Sequence, residues 1–271
     1  MKNAYRIAAP MLVAGLIFAV ALSCRAQSPF DGTWRINMDE STRPAEPFVY
    51  LLQNGVFDCP SCAPGIRVKA DGQDHPAPGH LVGHPQYDTI SVREIDANTV
   101  AFVTKKGGAM VDEQTRTVSG DGNTMIVKTT AYPPNSSQPI TAEATEKRVA
   151  RGPAGANRIS GSWKAETVDE SENNLLFTYK SDGDELDMSD PTGDSYSAKF
   201  DGKQYPFPGS RGNRLVSLRR VDDRTFEETR TRDGVVVLVG KMTVSPDGKK
   251  MTIVSTVPQT KTTTTYVAYK Q

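Results

Sequence analysis

The sequence predicts an all-β protein made of two tandem antiparallel units, each of about eight strands. An internal duplication is the first observation behind this prediction. Gly32-Thr33-Trp34 recurs as Gly161-Ser162-Trp163, and three further blocks recur in the same order at nearly constant separation. These blocks pair residues 68–79 with 198–209, 89–99 with 215–225, and 118–125 with 244–251. Four matching blocks in one order indicate that the chain contains two copies of one unit.

Apolar and polar residues that alternate with period two are the second observation. Ile90 and Val92 alternate with polar neighbours, as do Val216 and Leu218 in the second copy, which is typical of strands with one buried face. Asp-Gly pairs at 71–72, 121–122, 201–202 and 247–248 separate such runs and favour tight turns. We see no long amphipathic helix.

The pattern divides the chain into four parts. We predict a signal peptide over residues 1–26, a first β-unit over 27–150, a linker over 151–157 and a second β-unit over 158–271. The linker reads RGPAGAN, and its Gly and Pro favour neither helix nor strand.

The N-terminus predicts export. A positively charged start precedes an uncharged apolar run over residues 7–22, and small residues follow, so we expect cleavage after Ala26. The alternative is a lipoprotein, since residues 21–24 resemble a bacterial lipobox in which Cys24 would carry lipid. Both alternatives predict a periplasmic or secreted protein, which would be attached to a membrane only through a lipid anchor at Cys24.

The Gly-x-Trp motif at the start of a run of antiparallel strands resembles the opening of the calycins, which include the lipocalins and fatty-acid-binding proteins. The resemblance implies two barrels, each with a Trp at one end under a cation from near the end of the unit. In this sequence it pairs Trp34 with Arg148 and Trp163 with Lys270, the second copy having no Arg there.

The mature chain also resembles a family of bacterial exported proteins to which we attach no activity. The shared features are KADG or KFDG followed by a Pro-x-x-Gly segment, VSxDGKxxT, and an early Cys-x-x-Cys. This resemblance covers both copies.

If the units are barrels, their interiors either are filled by side chains or hold one small ligand. The inward-facing candidates for ligand binding are Ile90, Val92, Met125 and Val127 in the first copy and Val216, Leu218, Met251 and Ile253 in the second.

Cys59 and Cys62 form the most chemically suggestive motif, because His75, His80 and His84 follow closely. The spacing fits a zinc finger, but the prolines and glycines among the histidines forbid the helix that such a finger needs. We therefore predict a local disulfide and no metal site, and a Cys/His metal site or a pair of reactive thiols stays as the alternative.

The remaining segments carry no recognisable catalytic motif, and we expect no enzyme activity and no cofactor. The carboxylate-rich segment 182–194 lacks the ligand pattern of a calcium loop, and we interpret it as a solvated loop. Arg219, Arg220 and Arg230 are interpreted as outward-facing charges. The equal numbers of acidic and basic residues argue against a nucleic-acid partner.

One strand departs from the alternation, since residues 235–239 read VVVLV. A strand apolar on both sides needs cover on both sides, from its own barrel and from either the first copy or a second molecule.

We therefore expect an exported, non-enzymatic protein that holds a small apolar or amphipathic ligand inside a barrel. The alternatives are a structural or protein-interaction module of the cell envelope, and a metal-binding or redox accessory centred on the Cys-x-x-Cys loop.

Overall fold

A computed structural model describes residues 28–42, 46–62, 64–76, 87–134, 136–209 and 214–271. The predicted signal peptide with Cys24, and the histidines His80 and His84, lie outside the described residues. Strands make up 63% of the described residues and helix 2%, so the all-β prediction is confirmed. The strands form two nearly closed, antiparallel, barrel-like sheets of ten strands each, somewhat more than predicted.

The elements follow one another along the chain as two similar series. The first series contains β1 (Gly32–Asn37), β2 (Phe48–Gln53), β3 (Val56–Cys59), β4 (Ile66–Lys69), β5 (His75–Pro76), β6 (Thr89–Glu94), β7 (Thr99–Lys106), β8 (Ala109–Val118), β9 (Thr124–Ala131) and β10 (Ile140–Arg151). The second contains β11 (Gly161–Glu170), the short helix α1 (Glu172–Leu175), β12 (Leu176–Asp182), β13 (Glu185–Ser189), β14 (Ser195–Lys199), β15 (Tyr205–Phe207), β16 (Arg214–Asp222), β17 (Thr225–Arg232), β18 (Val235–Val244), β19 (Lys250–Val257) and β20 (Thr262–Lys270).

Each barrel is displaced by one strand from the sequence repeat. The first barrel has the order β4-β3-β2-β11-β10-β9-β8-β7-β6-β5, and the second has β14-β13-β12-β1-β20-β19-β18-β17-β16-β15. The first barrel is therefore a continuous stretch of chain from β2 to β11. The second barrel runs from β12 to β20 and takes β1, the first strand of the chain, between β12 and β20. The predicted ranges 27–150 and 158–271 mark the repeats, but neither range is a whole barrel.

The short linker explains this displacement. Residues 151–157 turn the chain back at once, so β11 lies antiparallel to β10 and their backbone groups pair without a long loop to order. With β11 in the first barrel, the second barrel has an open position beside β20, and β1 fills it. The two ends of the chain thus meet inside one sheet.

The Asp-Gly pairs lie where the sequence predicts turns. Gly72 and Gly202 have φ values of 76° and 74°, which glycine adopts at low cost. The neighbouring Asp71 and Asp201 form isolated bridges with Arg93 and Arg219, and each bridge spans the gap between the two edges of its barrel.

Each barrel has its own hydrophobic core, and the predicted alternation places residues correctly. Ile90 and Val92 are buried in the first core, and Val216 and Leu218 are buried in the second. In the described part of the chain, no helix is long and apolar enough to cross a membrane.

Candidate ligand cavity

A cavity of about 1040 Å³ opens into the first barrel. Its apolar wall consists of buried side chains from several strands and the β5–β6 connection, namely Tyr50, Phe57, Ile66, Tyr87, Ile90, Phe102 and Val127. This volume lies at the upper end of the range for sites that enclose a small molecule, and a mostly apolar wall is typical of such sites.

A polar stripe runs along β8 inside this cavity. Asp112, Gln114 and Arg116 are two residues apart, so all three point to the same side of the strand and line the cavity. The Arg116 guanidinium carbon lies 3.9 Å from the centre of the Tyr50 ring and 5.1 Å from that of Phe102. Arg116 Nε donates a hydrogen bond to Gln114 Oε1 at 2.7 Å, while Arg116 Nη1 is buried without a hydrogen-bond partner.

Two buried carboxylates share the cavity with Arg116. Asp112 is 7% exposed and Glu146, from β10, is 6% exposed. Burial raises the pKa of Asp112 to about 6, although the nearby Arg116 opposes the change. Burial likewise raises the pKa of Glu146, and the charge of Arg116 again opposes the change. Glu146 Oε2 has no hydrogen-bond partner. Burial also raises the pKa of Tyr50, to about 12.

The disulfide loop forms one side of the cavity mouth. Cys59 and Cys62 are bonded, with an S–S distance of 2.01 Å and a Cα–Cα distance of 5.4 Å, so the predicted disulfide is confirmed. Pro60, Ser61 and Cys62 line the cavity. Ser61 Oγ accepts a hydrogen bond from the Val49 backbone N–H at 2.8 Å, which ties the loop to β2.

The second barrel contributes the other side of the mouth. Val235 and Val237 of the all-apolar VVVLV segment line the cavity of the first barrel, whereas Leu238 lines the interior of its own barrel. The predicted cover from the first copy is therefore incomplete, because Val235, Val236 and Val239 stay 54%, 37% and 37% exposed.

The second barrel contains a smaller cavity of about 410 Å³. Arg214 and Asp194 form an ion pair at 2.6 Å there, with side chains only 2% and 1% exposed. Arg230 Nε donates to Glu228 Oε1, and Tyr196 OH donates to Glu228 Oε2 at 2.8 Å. Burial raises the pKa of Tyr196, and the Glu228 carboxylate raises it further. The interpretation of Arg230 as an outward-facing charge is wrong, because it lines this interior beside Glu228.

The eight predicted ligand-binding residues fall into two groups. Three line cavities, namely Ile90 and Val127 in the first barrel and Ile253 in the second. The other five are buried in the packed cores and line neither of these two cavities, namely Val92, Met125, Val216, Leu218 and Met251.

The four residues predicted to close the barrels do form cation–ring contacts, but in the opposite pairs. Arg148 lies over the Trp163 ring, 3.8 Å from its centre, and Lys270 Nζ lies 4.8 Å from the centre of the Trp34 ring. The predicted pairs, Trp34 with Arg148 and Trp163 with Lys270, are wrong because the strand of each Trp pairs with the last strand of the other repeat, inside one shared barrel. In register, Arg148 is opposite Trp163 and Lys270 is opposite Trp34.

The two Trp sites share a local geometry. Each indole Nε1 donates at 2.7 Å to the carbonyl four residues earlier, that of Phe30 or Ile159. The cations differ, because Arg148 donates to the carbonyls of Gly122, Arg158 and Ser160 whereas Lys270 reaches that of Pro29. Gly161 cannot be replaced freely, since it has a φ of 130° and an added Cβ would lie 2.2 Å from the Ala150 carbonyl oxygen.

The other sequence candidates take structural positions. His75 Nε2, on β5, lies 2.7 Å from Oδ1 of Asp71, which lies in the turn before that strand. In the acidic segment, Asp190 Oδ1 accepts hydrogen bonds from its own loop, and the buried Asp194 pairs with Arg214, so part of that segment is not solvated. Within the described ranges, no group of three His, Cys, Asp or Glu side chains is placed to hold a metal ion.

Sequence reasoning missed the charged groups inside both barrels. A signal for them existed in β8, where Asp112, Gln114 and Arg116 keep the same phase as the buried Val118. Comparison with known proteins adds no relative, since no family model, curated protein or solved structure matches the chain.

Proposed function

We propose that this protein is a non-enzymatic binding protein that holds a small amphipathic molecule in the first barrel. The observation that supports the proposal is the cavity of about 1040 Å³, which combines an aromatic wall with buried polar groups that have no partner in the protein. A filled structural barrel would gain nothing from buried polar atoms without hydrogen bonds, because each one costs free energy. A ligand with an apolar body and a polar head would bury the wall and supply the missing partners.

The two barrels differ in a way that assigns this role to the first. In the second barrel, Glu228 accepts hydrogen bonds from Arg230 and Tyr196, and Asp194 pairs with Arg214. Its cavity is also less than half as large. We therefore assign the second barrel a supporting role, in which it carries β18 and the β19–β20 hairpin. Val257, Gln259 and Thr262 of that hairpin line the mouth of the first cavity.

A pair of matched variants tests this proposal. Val127 lines the first cavity and Ile253 lines the second, and the two residues occupy equivalent positions of the repeat. Val127→Phe should reduce binding of a decyl amphiphile in isothermal titration calorimetry by filling the first cavity, whereas Ile253→Phe should leave that binding unchanged. Thermal unfolding of both variants controls for overpacking, which typically costs about 1–3 kcal/mol.

Three probes should be titrated, namely decylamine, decanoate and decanol, each below its aggregation concentration. Binding of any one of them to the wild type, with loss in Val127→Phe alone, would support the proposal. If none binds, or if Ile253→Phe weakens binding as much as Val127→Phe does, the first barrel is not the binding site. Native mass spectrometry of the freshly purified protein offers an independent check, because a resident molecule would add mass.

A protein-interaction module is the second candidate, favoured by the exposed valines of β18. Val235, Val236 and Val239 are exposed apolar side chains of β18, and Val235 lines the cavity mouth. This reading predicts that Val236→Lys abolishes association with an envelope protein while binding of the decyl probes persists. Analytical ultracentrifugation of the wild type and the variant, each with any protein that co-purifies with the wild type, would measure this association.

Export is part of the same proposal and rests on the sequence. The charged start, the apolar run over 7–22 and the small residues before Gln27 support signal-peptide cleavage after Ala26, with a lipid-bearing Cys24 as the alternative. The intact mass of the mature protein distinguishes the two, because the second would retain Cys24 with its acyl groups.

A further inference from the structure

The charges along the first cavity are unbalanced. Four carboxylates line it, from Glu46, Asp112, Glu146 and Asp233, against two guanidinium groups, from Arg116 and Arg232. In the buried part, Asp112 and Glu146 both lie under the charge of Arg116. The buried Arg232 also lines the second cavity, and no charge interaction links it to either carboxylate. These two carboxylates therefore share the counter-charge of Arg116.

One of these carboxylates has a buried oxygen atom that accepts no hydrogen bond. Glu146 Oε2 is buried with no partner, and among the described residues only charge interactions, with Arg116 and Glu113, act on Asp112 besides its burial. Such groups are rare in native proteins, because taking a carboxylate out of water without replacing its hydrogen bonds costs several kcal/mol. The buried carboxylates of the second barrel, Glu228 and Asp194, occupy other positions of the repeat and are both paired.

Arg116 is a poor receptor for an anion in this setting. Its guanidinium group stacks on Tyr50 and bonds to Gln114, which already occupies one face and one edge. An anion brought to its buried Nη1 would approach Asp112 and Glu146, whose like charges would repel it. An ammonium group instead carries three donors and a positive charge, which match carboxylate oxygens that have no partner.

We propose that the first barrel binds an amphipathic cation, whose ammonium head is held by Asp112 and Glu146 and whose apolar body packs on Phe57, Ile90 and Val127. This inference rests on the proposed function and specifies the chemical class of the ligand. Arg116 then neutralises one carboxylate and the ligand neutralises the other. The apolar body fills the space between the aromatic wall and the valines of β18.

The wild-type protein tests this directly at pH 7.5 with the three decyl probes, which share a tail and differ in the charge of the head. We expect decylamine to bind about tenfold or more tightly than decanol and decanoate. A hydrogen bond between charged groups lowers the free energy of binding enough for a difference of that size in the dissociation constant. No variant is needed for this ranking, so a failure to fold cannot obscure it.

Charge-removing variants locate the head. Asp112→Asn and Glu146→Gln should each weaken decylamine binding by about tenfold and leave decanol binding unchanged. Glu113→Gln is the matched control, because Glu113 lies next to Asp112 on β8 but its carboxylate accepts from the exposed Tyr132 on the outer face. It removes the same charge and should have little effect on any probe.

The outcomes separate this inference from the proposed function. If decanol binds as tightly as decylamine, the cavity binds ligands but the head is not a cation, and the inference is overturned while the proposed function stands. If decanoate binds most tightly and Arg116→Gln abolishes it, the head is an anion, with the same consequence. If no probe binds, both fail together.

Discussion

The exchange of first strands predicts that each Trp stabilises the barrel of the other repeat. Trp34 and Trp163 are fully buried, and each donates an indole hydrogen bond at 2.7 Å. Replacing a buried Trp by Ala typically costs about 3–5 kcal/mol. Trp34→Ala should therefore loosen the second barrel although Trp34 belongs to the first repeat, and Trp163→Ala should loosen the first barrel.

Hydrogen–deuterium exchange followed by mass spectrometry locates the loss. In Trp34→Ala, peptides from β12 to β14 and from β19 to β20 should lose protection, and those from β7 to β9 should keep it, because local opening free energies follow local packing. Trp163→Ala should show the reverse pattern, so each variant is the control of the other. If Trp34→Ala instead exposed β7 to β9, or if both variants loosened both barrels equally, the offset architecture would be contradicted.

Three further predictions concern buried charges and the disulfide. The pKa of Asp112 is higher in the folded than in the unfolded protein, so the native state binds a proton more tightly and stability falls as pH rises from about 4 to about 6, by roughly 3 kcal/mol. Asp112→Asn cannot ionise and should raise the melting temperature at pH 7.5 but not at pH 4 in scanning calorimetry; equal gains at both pH values would contradict this. Arg214→Met leaves the 1%-exposed carboxylate of Asp194 uncompensated and should cost about 3–5 kcal/mol in urea unfolding, and a loss below about 1 kcal/mol would refute the buried pair. Reducing the Cys59–Cys62 bond should change the affinity for decylamine by loosening the cavity mouth, measured by calorimetry with and without reductant, whereas the melting of the second barrel should stay constant.

The sequence contained enough to predict strands and duplication but not the exchange between barrels. The two motifs share the Gly-x-Trp pattern, and neither motif indicates whether its strand pairs with its own repeat or with the other one. The deciding feature is the short linker 151–157, which favours a hairpin between β10 and β11 over a long return path. The predicted number of about eight strands per unit is lower than the observed ten, because β5 and β15 have only two and three residues.

The apolar wall of the cavity could be predicted from the sequence, but its charged groups could not. Period-two alternation placed Ile90 and Val127 on its wall, because apolar residues in strands with one buried face point inward. The same rule predicts the wrong side for Asp112 and Glu146, because it places charged residues on the outer face of the barrel. Inward charges violate local pattern rules where a protein binds something, so the places where the rule fails are themselves informative.

Methyl-resolved nuclear magnetic resonance of the protein titrated with decylamine tests the central claim most directly. The account predicts shifts at the methyl groups of Ile66, Ile90 and Val127, which line the first cavity, and none at Val216 or Val244 in the core of the second barrel. Shifts confined to the second barrel, or to exposed methyl groups such as those of Val149, would show that the first barrel does not hold the ligand.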